Sequence, residues 1–201
     1  MTTLQVSRSE LILGGQKSGK SWRAECLAQT WLAQSGDHHV VLIATAQAWD
    51  KEMGQRIARH QADRAERLPG IITVEEPIAL AGAVAQHSTQ HTMVLVDCLT
   101  LWLTNLTMPF QPTHSDGRSD PLSAGGPRAE IQIAALIQAV GEAPGPVVLV
   151  GNEIGLGVIP MGAEVRSFVD QLGMLNQAVA ARCERVTLMA AGLALTLKEN
   201  P

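Results

Sequence analysis

The chain has 201 residues, 46% hydrophobic, 17% charged and 3% aromatic, close to ordinary globular composition and to a single domain spanning 1–201. With 15 Lys and Arg against 19 Asp and Glu the formal charge is -4, which leaves no cationic surplus for nucleic acid or an anionic membrane. No apolar stretch is long enough to span a bilayer, and the opening Met1-Thr2-Thr3-Leu4-Gln5-Val6-Ser7-Arg8 lacks a signal-peptide pattern, so the expected location is the cytoplasm.

In chain order, Glu10-Leu11-Ile12-Leu13 predicts a strand and Gly19 to Ala33 a helix. Val40-Val41-Leu42-Ile43-Ala44 is followed by a helical segment from Asp50 to Arg67, and Ile71-Ile72-Thr73-Val74 by one from Pro77 to His87. Met93-Val94-Leu95-Val96 precedes helices at Leu99 to Thr107 and Arg128 to Val140, and Val147-Val148-Leu149-Val150 precedes one at Ala163 to Cys183. These strand runs are continuously apolar, as strands covered on both faces are, and their alternation with helices predicts a largely parallel α/β sheet. Val186-Thr187-Leu188-Met189 and Leu193-Ala194-Leu195-Thr196-Leu197, separated by Ala190-Ala191-Gly192, predict a hairpin with one or two antiparallel strands at a sheet edge. Met108 to Pro127, rich in Pro, Gly, Ser and Asp, reads as a long mobile loop, a tolerated insertion rather than a lid. Cys26, Cys98 and Cys183 are too dispersed for a zinc or disulfide framework and are expected to pack as small apolar side chains.

The strongest local signal is Gly14-Gly15-Gln16-Lys17-Ser18-Gly19-Lys20-Ser21, which fits G-x-x-x-x-G-K-[ST] between a predicted strand and a predicted helix. Glycines permit close backbone approach, so the amides can surround a phosphate chain with the positive helix end behind it. Lys20 is then placed to reach the terminal phosphates, and the Ser21 hydroxyl to ligate magnesium. An acidic partner for that ion is expected on a neighbouring strand end, and Asp97 supplies it; its other reading is a cap for the helix at Leu99.

On the helix from Asp50, the residues Glu52, Arg56, His60 and Arg64 recur every four positions and share one face. Met53 and Ile57 form a separate stripe expected to pack on the sheet. Read alone, the polar face is a solvated charged surface with an incidental histidine. The competing reading uses His60 as a nucleophile, because nearby guanidinium charge keeps an imidazole nitrogen unprotonated and free to attack phosphorus.

Several segments together resemble the bifunctional adenosylcobinamide kinase/adenosylcobinamide-phosphate guanylyltransferases of cobalamin biosynthesis. They are Leu13 to Ser21 with Ala24-Glu25, Ile43-Ala44-Thr45-Ala46-Gln47, Glu52-Met53 with Arg56-Ile57 and Arg59-His60, and Thr73-Val74-Glu75-Glu76-Pro77. Val96 to Asn105 and Asn152-Glu153-Ile154-Gly155-Leu156-Gly157-Val158-Ile159-Pro160 complete a similarity that covers nearly the whole chain. The resemblance implies an α/β P-loop NTPase fold of RecA-like type, with helices on both faces of a mostly parallel sheet and an antiparallel C-terminal edge hairpin. It also implies phosphorylation of adenosylcobinamide by ATP or GTP, then GMP transfer from GTP to adenosylcobinamide phosphate, with magnesium as the cofactor.

In that family a histidine carries GMP, and His60 matches it. Arg56, Arg59 and Arg64 are placed to offset phosphate charge. Thr45, Ala46, Gln47, Gln61, Ala62, Asp63, Arg64 and Glu75 match positions that contact GTP, with Asp97 at the acidic strand end. The turn at Asn152 and Glu153 is assigned an unspecified active-site role, and the family resemblance implies a homotrimer, for which Ala163 to Cys183 is a candidate face. Two departures stand out: Val169 and Met174 occupy positions where the family often has arginine. The rival functions are a kinase of another small metabolite and a regulatory nucleotide switch; against the switch stand the Arg56/His60/Arg64 stripe and the lack of a recognisable Asn-Lys-x-Asp element.

Overall fold

The computed structural model describes residues 4–108 and 126–199. The predicted loop from Met108 to Pro127 falls, apart from its ends, outside the described residues. The elements run β1 (Ser9–Gly14), α1 (Lys20–Leu32), β2 (His39–Ala44), α2 (Lys51–Arg67), β3 (Ile72–Glu75), α3 (Leu80–His87) and β4 (Thr92–Asp97). They continue with α4 (Leu99–Thr107), α5 (Gly126–Glu142), β5 (Val147–Val150), α6 (Ala163–Arg182), β6 (Arg185–Ala190) and β7 (Leu193–Glu199).

All seven strands form one sheet in the order β3-β2-β4-β5-β1-β6-β7. Every pairing is parallel except β6 with β7. The expected antiparallel edge is therefore β7 alone, since β6 joins β1 in the parallel direction. The turn between β6 and β7 consists of Ala191 and Gly192 with φ of 52° and 80°, the left-handed pair that matches the twist of a tight hairpin.

Side chains of successive strand residues point to opposite faces, and the core divides accordingly. Leu11, Leu13, Val94, Val96, Val147 and Leu149 pack with α3, α4, α5 and α6, through residues such as Leu80, Trp102, Leu136 and Leu175. Ile12, Met93, Leu95, Val148 and Val150 face the other way, onto Ala24, Leu27 and Ala28 of α1. Each fully buried Leu in these layers contributes about 1.5–3 kcal/mol. This two-sided burial is why the inner strands read as unbroken apolar runs.

Three expectations differ from the structure. β3 is not covered on both faces: Ile72 is 58% exposed on a strand at the sheet edge, paired among the described residues only with β2. The Met53/Ile57 stripe of α2 is only half-buried, and Arg64 is the one buried residue of that helix. α2 begins at Asp50, whose side chain accepts from Met53 N–H at 2.7 Å, an N-cap. It is tied down at its other end, where Arg67 reaches Glu25 on α1 at 2.9 Å and the Arg67 guanidinium sits 5.3 Å from the Trp22 ring centroid. The helix predicted from Pro77 starts later, at Leu80, because Glu76 accepts from the Ile78 and Ala79 amides and holds that segment in a turn.

Candidate active site

Strand register decides which residues meet. Ala44 lies opposite both Glu75 and Asp97, Asp97 opposite Val150, and Gly14 opposite Met189. The carboxyl ends of β3, β2, β4, β5 and β1 thus bring Glu75, Thr45, Asp97, Asn152 and the Gly14 loop to one rim, where open α/β sheets bind ligands.

The glycine-rich segment forms the predicted loop between β1 and α1. Lys17 has φ 54° and Gly19, the N-cap of α1, has φ 101°. At Gly14 a Cβ would stand 2.4 Å from the Met189 carbonyl oxygen, so only glycine lets the strand leave the sheet there. Gly15, Gln16 and Lys17 are exposed, whereas Ser18 and Lys20 are buried. Lys20 Nζ donates to the Gly15 carbonyl at 2.7 Å, across the mouth of the loop. Burial lowers the Lys20 pKa, and nearby Cys98 and Asp97 oppose that shift.

Asp97 reaches this neighbourhood although β4 is not the strand next to β1. β5 stands between them, which corrects the expected adjacency. Asp97 does not cap α4: the N-cap residue is Cys98, and among the described residues no side chain caps that helix. Instead Asp97 Oδ2 accepts from Arg64 Nη2 at 3.1 Å. Ser21, Glu25, Arg64 and Asp97 line one small cavity, and Arg64 with Gln61 and Thr73 also lines a shallow recess beside β3.

His60 is exposed, one helical turn before Arg64 on the same face of α2. The Arg64 contact ties the C-terminal end of the stripe to Asp97, on the cavity that Ser21 also lines, while Arg56 and Arg59 are exposed. Gln61, Ala62 and Asp63 are exposed, Asp63 standing 4.0 Å from Arg67. Glu75 is exposed at the end of β3, Ala46 is half-buried, and exposed Gln47 accepts from Trp49 Nε1 at 2.8 Å.

Thr45 differs from its expected role as a nucleotide contact. It is fully buried; its hydroxyl donates to the Cys98 carbonyl at 2.7 Å and accepts from the Cys98 N–H at 2.9 Å. Its amide donates to Asp97 O, and its carbonyl accepts from Asn105 Nδ2. Every polar group of Thr45 is thus occupied in fixing the strand end that carries Asp97. Cys98 itself is buried, which pushes its thiol up to about 11, with the Asp97 charge adding to the shift.

The Asn152–Glu153 turn also belongs here. Asn152 N–H donates to Thr100 Oγ1 at 2.9 Å, Asn176 Nδ2 donates to Asn152 O at 3.1 Å, and Glu153 N–H donates to Gly14 O at 3.1 Å. Neither Thr100 nor Asn176 is singled out by the sequence; Thr100 is half-buried on α4 and Asn176 buried on α6, and a polar residue on the apolar face of a helix is the available signal. Beyond this turn Ile154, Leu156, Val158, Ile159 and Met161 are exposed, Val158 and Met161 by 95% and 97%. Val169 is half-buried and Met174 exposed on α6.

Among the described residues no group of three or more His, Cys, Asp and Glu is placed to hold a metal ion. Of the two carboxylates on the small cavity Glu25 is paired with Arg67, and the Ser21 hydroxyl with the Asp97 carboxylate suits a hard cation that takes its other ligands from phosphate and water.

Comparison with known proteins agrees with this geometry. The family described as cobinamide kinase / cobinamide phosphate guanyltransferase matches residues 10–197. The bifunctional adenosylcobalamin biosynthesis protein CobP of Pseudomonas aeruginosa is 47% identical over 192 residues, covering 96% of this chain and 98% of the relative. The proteins named bifunctional adenosylcobalamin biosynthesis protein CobU from Escherichia coli and Salmonella typhimurium are each 35% identical, and each alignment covers 94% of this chain and 98% of the relative. With the family match spanning nearly all the secondary structure, and with the loop, histidine helix and acidic strand end meeting at one rim, the chain belongs to the cobinamide kinase / cobinamide phosphate guanyltransferase family.

Proposed function

We propose that this protein phosphorylates the aminopropanol hydroxyl of adenosylcobinamide with ATP or GTP and then guanylylates the product through His60. The observation that supports this reading is the Arg64–Asp97 contact of 3.1 Å, which ties α2, one helical turn from His60, to the acidic strand end. In the first reaction the loop amides and Lys20 stabilise charge on the phosphoryl group in flight. In the second, an imidazole nitrogen of His60 attacks the α-phosphorus of GTP, and the bond to the β-phosphate oxygen breaks, releasing pyrophosphate. A phosphate oxygen of adenosylcobinamide phosphate then displaces His60 from the same phosphorus, giving adenosylcobinamide-GDP. Two displacements spare two bulky anions from meeting directly, and Arg56 and Arg59 offset their charge in turn.

The Ser21 hydroxyl and Asp97 would hold magnesium, which would supply charge neutralisation for the phosphates. Asp97 Oδ2 is engaged by Arg64, which leaves Oδ1 for that role. Gln47, Gln61 and Glu75 are assigned to the guanine nucleotide with Ala46, Ala62 and Asp63 beside them, while Thr45 acts by holding the strand end. The reading includes one domain and a homotrimer, whose contacts would cover apolar side chains such as Val165 and Met174 on α6, both exposed in the single chain.

The test is incubation of wild-type and His60→Ala protein with magnesium and GTP labelled at the α-phosphate. Acid-labile label on the wild type only, discharged by adenosylcobinamide phosphate, is the expected result. A wild type that binds GTP yet takes up no label overturns the covalent mechanism.

A further inference from the structure

The phosphate loop is held from outside at two of its carbonyls. Glu153 N–H donates to Gly14 O at 3.1 Å, and Gly192 N–H donates to Ser18 O at 3.0 Å. Gly192 is the second residue of the turn between β6 and β7, which closes on the Ala190–Leu193 pair. In a two-residue hairpin the ladder uses the flanking pair, so the amide of the second turn residue is not needed by the hairpin. Here that amide goes to the loop. Packing repeats the contact, for a Cβ at Gly19 would lie 3.4 Å from both Gly192 Cα and Met189 Cε. The two backbones meet glycine to glycine, at two positions whose φ of 101° and 80° lies in the left-handed region that favours glycine.

A trans peptide points its C=O and the next residue's N–H in opposite directions. Fixing Ser18 O outward on the hairpin therefore turns the Gly19 N–H inward, toward the side that Lys20 closes. Fixing Gly14 O on Glu153 does the same for the Gly15 N–H. Among the described residues no backbone acceptor takes the Gly15 or Gly19 N–H, so both donors are free for an anion.

We propose that the β6–β7 turn, acting through the Gly192 amide, is a positioning element that aims the Gly19 N–H at the nucleotide phosphates. The C-terminal hairpin is then part of the binding apparatus through its backbone. This rests on the reading that the loop binds nucleotide, and the test separates the two.

Cys183 allows the single N–H to be removed. A synthetic segment 183–201 with glycolic acid in place of Gly192 is joined by native chemical ligation to residues 1–182 and refolded beside an all-amide control made the same way. The ester is expected to bind magnesium-GTP and inorganic pyrophosphate about tenfold more weakly than the control, since one oriented donor to a polyanion is lost. A second, recombinant variant with one glycine inserted between Ala191 and Gly192 shifts the amide off the loop, and the same loss is expected. Equal affinity of ester and control for both ligands, with or without a lowered melting temperature, overturns the proposal and reduces the contact to ordinary packing. An all-amide control that is folded but binds neither ligand overturns the nucleotide reading itself.

Discussion

Between Gly14 and Ser21 the chain is held by β1, by the Glu153 and Gly192 amides, and by a carbonyl that returns to Lys20. Along α2, by contrast, only Arg64 is buried, and the turn that carries His60 faces solvent. The difference follows the chemistry asked of each region. A phosphate chain is gripped by backbone amides whose directions must not wander, so that segment is fixed at many points. On the proposed reading His60 meets a nucleotide first and a corrinoid phosphate second and needs open approach, which a helix secured mainly near one end by Arg64 and Arg67 allows.

Substitutions at the two regions should therefore fail differently. His60→Ala is expected to lose at least ~10⁴-fold in guanylyl transfer, the scale of a removed nucleophile, with a much smaller loss in phosphorylation of the hydroxyl. Chromatographic separation of the phosphate and GDP products reads both rates, and equal losses in the two would erase the contrast. Lys20→Ala is expected to lower phosphorylation by about 10²–10³-fold, because one oriented charge at the phosphates disappears. Urea unfolding should show that protein still folded, since Lys20 is a buried cation whose pKa burial already lowers.

Arg64→Ala strikes the link between the regions. It strands Asp97 half-buried without its partner and is expected to cost about 2–3 kcal/mol in denaturant unfolding. A change under 0.5 kcal/mol, roughly the scale of an exposed pair, would mean that α2 does not depend on this contact. The smallest effect concerns the thiols. Burial holds Cys98 up at about 11 and Cys183 up at about 12. A raised thiol pKa means less thiolate at pH 8, so iodoacetamide should label half-exposed Cys26 first, though burial raises that thiol too. Labelling of Cys98 should rise only as pH approaches 11, and mass spectrometry of peptides reads the order.

Much of this was legible because it repeats along the chain. Apolar runs two-sided in burial gave β1, β2, β4 and β5, and the glycine-rich segment with its Lys-Ser ending was correctly placed as the loop between β1 and α1. β3 misled because its apolar run looks like the others; edge position depends on strand order, which local sequence does not encode. The Arg64–Asp97 pair joins residues 33 positions apart, and Thr45 meets Cys98 across 53. Such pairings follow from register between β2 and β4 and from the docking of α2, not from any spacing. The polar stripe itself was visible, but it could not say that Arg64 turns inward while His60 stays out.

Ala191 adopts φ 52° with a side chain that gains nothing from that region. Left-handed turn positions favour Asn, Asp or Gly, so this position holds unused stability, and Ala191→Gly or Ala191→Asn should recover on the order of 0.5–1 kcal/mol. The hairpin is therefore built below its attainable rigidity at the residue beside the phosphate loop, a margin that directed evolution toward higher temperature would be expected to draw on early.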